Sequence, residues 1–147
     1  MEIEQIEFNT IREDFSEYEA ENGQILRVKQ VITSITNHDE DGKKRSSAEF
    51  KLISLTIAPT TINTSNLKLV EDPNQITEKD VVKEIQFTTL KEVVNIYETK
   101  NALILVIPHM QKIFLTDKKD KNNAPHLRFT LASDINIIQK TVSPPNF

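Results

Sequence analysis

Two stretches, IEQIEFNTI at 3–11 and VKEIQFTTL at 82–90, decide the fold. In each, apolar side chains alternate (Ile6 with Phe8, Ile85 with Phe87) at the period of two that sets one face of a β-strand on a core. They also read as one segment written twice. Sliding the chain along itself by 79 positions aligns 6–58 with 85–137 without a gap and gives 13 identities in 53 positions. Unrelated segments of ordinary composition give about three or four. The identities include Tyr18/Tyr97, Glu13/Glu92, Glu19/Glu98, Asn22/Asn101, Asp41/Asp120 and Phe50/Phe129. A period of this kind, read before any strand is assigned, predicts an internal duplication.

The repeat extends the reading outward. Short strands are expected over 15–20 and 93–99, followed by a hairpin turn at Asn22-Gly23 and a looser one at Asn101-Ala102. Long strands follow at 24–36 and 103–116. Their alternation slips near Lys29–Gln30, and Pro108 stands at the position of Lys29, so a bulge is predicted there. Polar loops are expected at 37–47 and 116–125, and closing strands at 49–57 and 127–134. The predicted organisation is a single domain over 1–147. It has a first β repeat at 1–58, a linker at 59–80 with an edge strand near 67–70, a second repeat at 81–138, and a C-terminal tail at 139–147. A unit of some 55 residues buries too little surface to stand alone. The expected fold is therefore all-β, with two pseudo-symmetric four-stranded antiparallel meanders sharing one core as a small barrel or sandwich.

Composition agrees. Ile, Val and Thr make up 41 of 147 residues against six Ala, and β-branched side chains favour a pleated surface over a helix. Only two glycines are present, so turns must use Asn, Asp, Pro and Ser. Ile, Leu, Val and Phe form 31% of the chain, enough for a modest core. No apolar run reaches the roughly 18 residues of a membrane-spanning helix, and the acidic N-terminus is unlike a secretion signal, so a cytoplasmic location is expected. The absence of cysteine excludes disulfides, thiolate ligands and a thiol nucleophile.

The segment YEAENGQILRVKQVITSI at 18–35 resembles one in small archaeal β-rich proteins, where a Tyr, an Asn-Gly turn and an Arg-Val-Lys strand run into a polar loop. The resemblance covers about 13–58. It weakens over 92–137, where Ala102, Val106 and Pro108 replace Gly23, Arg27 and Lys29. It implies a β-rich fold and no activity.

No motif for catalysis is present: there is no GxSxG elbow, no SxxK and no glycine-rich phosphate loop. His38-Asp39-Glu40-Asp41 gathers oxygen and nitrogen ligands but lacks the alternating order of a calcium loop, and reads as a solvated acidic loop. His109 and His126 have no partner at metal-ligand spacing. The recurring Glu13, Glu19, Glu92 and Glu98 read as cross-strand ion pairs or edge protection, and the two tyrosines as structural hydroxyls. No metal and no cofactor are expected.

Charge is uneven along the chain. Residues 1–60 carry a net −5 and residues 80–147 a net +2, which favours docking between unlike surfaces. The reading is a non-enzymatic protein-interaction or assembly module whose partner is another protein or a second copy. Its candidate binding residues are Arg27 and Lys29, taken to lie on an exposed strand of the first repeat, and Lys43, Lys44, Arg45, Lys118, Lys119 and Lys121 in the two basic loops. The alternative is a nucleic-acid-binding barrel, provided both basic loops meet at one end.

Overall fold

A computed structural model describes residues 3–59 and 61–140. Most of the expected tail therefore lies outside the described residues. The fold is all-β, with two antiparallel sheets packed together that do not close into a barrel among the described residues. The strands are β1 (Ile3–Gln5), β2 (Asn9–Arg12), β3 (Ser16–Ala20), β4 (Ile25–Glu40), β5 (Lys43–Ile57), β6 (Lys68–Leu69), β7 (Val81–Ile85), β8 (Phe87–Lys91), β9 (Asn95–Glu98), β10 (Ala102–Lys119) and β11 (Pro125–Gln139). In the first sheet β4 has β5 on one side and β3 and β1 on the other, with β8 beyond β3. In the second, β10 has β11 on one side and β9, β7 and β6 on the other, with β2 beyond β9. The segment between the halves contributes β6, parallel to the end of β10, and 3₁₀ turns at Pro73–Gln75 and Glu78–Asp80.

The halves are interleaved rather than placed side by side. The single strand expected over 3–11 breaks at residues 6–8, so that β1 pairs with β4 while β2 crosses to the other sheet and pairs with β9. The second half repeats the move at Gln86, with β7 on β10 and β8 on β3. Each half thus lends a strand to the other's sheet, and neither forms a self-contained four-stranded meander. Strands that switch sheets make the corners of such packings. The register is equivalent in both places: Tyr97 faces Thr10 and Tyr18 faces Thr89, with single-residue bulges at Ile11 and at Leu90.

Contacts recur with the pairing. Phe8 meets Tyr97 edge-to-face at 5.8 Å between ring centres, and Phe87 meets Tyr18 in the same way at 5.9 Å. The Asp14 N–H donates to Asn95 Oδ1 and the Val93 N–H to Ser16 Oγ, both at 2.9 Å. Two core clusters form around the fully buried tyrosines. One holds Tyr18, Leu26, Val28, Ile85 and Ile113; the other holds Tyr97, Ile104, Val106, Ile32 and Ile35. Edge-to-face geometry suits the ring quadrupoles and adds about 0.5–1.5 kcal/mol per pair beyond burial.

Three expectations are corrected. The bulge in the long strands falls at Thr33 and Gln111, a few residues beyond Lys29–Gln30 and Pro108. Residues 37–47 are not a loop: β4 runs to Glu40, and Asp41-Gly42, at φ 52° and 77°, turns it directly into β5. Positive φ at both central residues is the two-residue turn that matches strand twist. The Asn101 turn is tighter, not looser, than the Asn22 turn. Thr99 N–H reaches Ala102 C=O across two residues, whereas Ala20 N–H reaches Gln24 C=O across three.

Candidate functional site

The two long hairpins end each sheet on one side. β5 and β11, of 15 residues each, are hydrogen-bonded along one edge only among the described residues, to β4 and β10. The largest exposed apolar side chains concentrate on them: Phe50, Leu52, Leu55 and Ile57 on β5, and Ile135, Ile137 and Ile138 on β11. Ile57 and Ile137 are more than half exposed, at 54% and 58%. An edge of this length with open N–H and C=O groups is a template for another strand.

A groove of about 600 Å³ lies between the two edges. Its walls are four consecutive residues of β5 (51–54) and four of β11 (126–129), with Pro73, Asn74 and Ile76 beside them. Alternate side chains of a strand point to opposite faces, so consecutive residues in one wall mean that the strand's edge lines the groove. Lys51, His126 and Arg128 are its ionisable groups, and no acid lies among them. Towards the β11 turn the groove continues past Leu55 and Thr56, where Glu71, Asp120 and Lys121 stand. Asp120 builds that turn, its carboxylate accepting from the N–H groups of Asn122 and Ala124 at 2.8 and 3.0 Å.

The sequence-derived candidates are scattered. Arg27 and Lys29 sit on β4, which is interior to its sheet and no docking edge. Both stand 4.7 Å from the centre of the Phe15 ring. Arg27 Nε lies 3.1 Å from Glu17 and Lys29 Nζ 3.8 Å from Glu13. Their charges are used within the molecule. Lys43, Lys44 and Arg45 open β5 opposite Glu40, Asp39 and His38, so the acidic run and the basic run face each other as cross-strand pairs. Lys118 Nζ is 2.7 Å from Asp117 and 3.5 Å from Asp80. The bond to Asp117 raises its pKa, while the Thr77 N–H, 2.9 Å from Asp80, and then Lys118 lower that of Asp80. Lys119 is paired through its backbone to Leu69 and Pro125, and Lys121 stays exposed at the groove mouth.

The two basic loops do not meet. Gln24 Nε2 donates to the Pro125 carbonyl at 2.9 Å, which fixes the second loop beside the start of β4. The first loop lies at the other end of that 16-residue strand, roughly 50 Å away along its length.

The recurring glutamates also divide. Glu13 and Glu92 accept hydrogen bonds from the two tyrosines, whereas Glu98 meets Lys140 at 2.9 Å. The exposed His109 touches Asp134 at 3.0 Å, and among the described residues no Ser or Thr hydroxyl is hydrogen-bonded to the pair. Among the described residues, no three His, Asp or Glu side chains converge as metal ligands, and no helix is long and apolar enough to cross a membrane.

Sequence reasoning missed the edges. A signal was available in FKLISLTI at 50–57 and INII at 135–138, where apolar residues occupy both strand faces instead of one. No family signature, no curated protein and no solved structure matches this chain.

Proposed function

We propose that the protein is a non-enzymatic interaction or assembly module that docks partner strands on the open edges of β5 and β11. The observation that carries this reading is the coincidence of two features. The long singly paired edges are also where the exposed apolar side chains collect, seven of the twelve large ones among the described residues. Main-chain pairing supplies affinity in strand addition, and pockets for alternate side chains supply selectivity. The halves also differ in charge, which steers encounter between unlike surfaces. The same reading takes the interleaved pairing as the product of an internal duplication whose two edge strands then diverged. The nucleic-acid alternative needed the basic loops together, and they are separated by the length of β4.

The test is hydrogen exchange on the isolated protein and on complexes recovered from its source. Amides on the outer edges of β5 or β11 gain protection when a partner is present. Protection confined to other strands removes the reading.

A further inference from the structure

We infer that β5 pairs with the β5 of a second copy, antiparallel and centred on Phe50, joining the two first sheets into one continuous sheet. The inference rests on the proposed edge docking and names its partner and register. β5 runs from Lys43 to Ile57, so pairing along its whole length sets Lys43 opposite Ile57 and Phe50 opposite Phe50. In that register Glu49 of each copy faces Lys51 of the other, giving two ion pairs about the two-fold axis, and no like charges are opposed.

The groove fits the incoming strand. The second copy's Glu49 arrives beside Lys51 and Arg128, in the stretch whose ionisable groups are otherwise basic. Its Lys44 and Arg45 arrive opposite Thr56 and Leu55, where Glu71 and Asp120 outnumber Lys121. Exposed Phe50 and Leu52 are then covered from the side. Fifteen residues of strand plus the groove wall approach the roughly 20–30 residues that a standard interface places on each side. β11 offers no equivalent: centred on Ala132, it sets Arg128 against Asn136 and Asp134 against Thr130, with no ion pair in either place.

Sedimentation equilibrium across a wide concentration range, combined with charge reversal and cysteine cross-linking, tests this. The wild type is expected to dimerise. Glu49→Lys and Lys51→Glu each weaken the dimer tenfold or more, since each opposes like charges twice, and the double swap restores it. Both side chains are exposed, so at concentrations low enough to keep the wild type monomeric the charge-reversed variants share its thermal midpoint. The chain has no cysteine, so Phe50→Cys cross-links only to itself on oxidation, while Leu55→Cys, which faces Arg45, does not. A dimer whose double swap fails to recover, or in which Leu55→Cys cross-links as well as Phe50→Cys, overturns this register. A wild type that stays monomeric overturns the second copy as partner. If that monomer still shows partner-dependent protection on an edge strand, the proposed function survives; if it shows none, both fall.

Discussion

Tyr18 donates its hydroxyl to Glu92 Oε2 at 2.9 Å across 74 positions of sequence. Its counterpart, Tyr97, donates to Glu13 Oε2 at 2.7 Å. The Tyr97 oxygen also accepts the Ile32 backbone N–H at 3.2 Å, one residue before the bulge at Thr33, and at Tyr18 the backbone of Met110, one residue before the bulge at Gln111, acts in the same sense to lower the hydroxyl pKa. The recurring Tyr and Glu of the two halves are thus one device built twice. A buried ring from one half is tied to a carboxylate of the other and to the bulge that bends a long strand.

Removing either hydroxyl leaves a glutamate carboxylate without its donor, and at Tyr97 it also leaves the Ile32 N–H without its acceptor. Bonds to charged groups contribute about 1.5–3 kcal/mol, so Tyr18→Phe and Tyr97→Phe are each expected to cost about 2 kcal/mol in urea unfolding. Equivalent surroundings predict similar losses. A difference of more than about 1 kcal/mol breaks the equivalence.

Burial, and then the neighbouring glutamate, raises the pKa of both tyrosines above the usual value near 10. The sign follows from the neutral ring being the form the fold accepts. Stability is unaffected below the unfolded value and falls as pH rises past about 10, because only the unfolded chain then releases the protons. Two such groups give a loss of about 2–3 kcal/mol per pH unit. Since the chain has only two tyrosines, tyrosinate absorbance should rise in one step, together with loss of β-sheet circular dichroism. A gradual rise near pH 10 in folded protein contradicts this.

The glycines separate strain from crowding. Gly42 lies at φ 77° with open space where a Cβ would stand, so Gly42→Ala costs only its backbone conformation, about 1 kcal/mol. Gly23, at φ 91°, has Pro59 Cγ 3.1 Å from that position and bears both penalties. Gly23→Ala should lower the thermal midpoint more than Gly42→Ala, and the reverse order would remove the role given to Pro59.

The sequence repeat was legible where turn length could not disturb it. Glu13/Glu92, Phe8/Phe87 and Tyr18/Tyr97 are aligned by the 79-residue offset, and all are structural equivalents. Past the Asn22 turn, which is one residue longer than its partner, equivalence moves to 78, as the bulges at Thr33 and Gln111 show. Past the second hairpin it shifts again, because Asp41-Gly42 spans two residues where Asp120–Ala124 spans five. The identity Phe50/Phe129 is therefore coincidental: Ile35, facing Ala48, corresponds to Ile113, facing Phe129. A gapless comparison cannot see compensating changes in loop length. The start of the β4–β5 hairpin reads as a loop for a different reason: its paired residues, His38 to Glu40 and Lys43 to Arg45, are polar on both faces and carry no alternation.

That shift gives Pro108 a different counterpart and a sharper test. Pro108 is equivalent to Gln30, not to Lys29. Both lie where the central strand has lost one neighbour and not yet gained the next: β9 stops at Val106 and β7 begins at Ile113, while β3 stops at Val28 and β1 begins at Thr36. Ile32 N–H points into this gap, towards Tyr97. Successive amides of a strand alternate sides, so the Gln30 N–H points there too and the Lys29 N–H points at β5. Proline at 30 removes no ladder bond, whereas proline at 29 breaks the pairing with Ile53 in the middle of the sheet. Gln30→Pro forfeits the side-chain contact with Ser133 and is expected to cost about 1 kcal/mol. Lys29→Pro is expected to cost about 3 kcal/mol or more and to lower the thermal midpoint of the whole protein, since β4 belongs to a core shared by both halves. Thermal unfolding of the two variants decides it, and equal midpoints would mean that the open side of β4 has been assigned to the wrong residues.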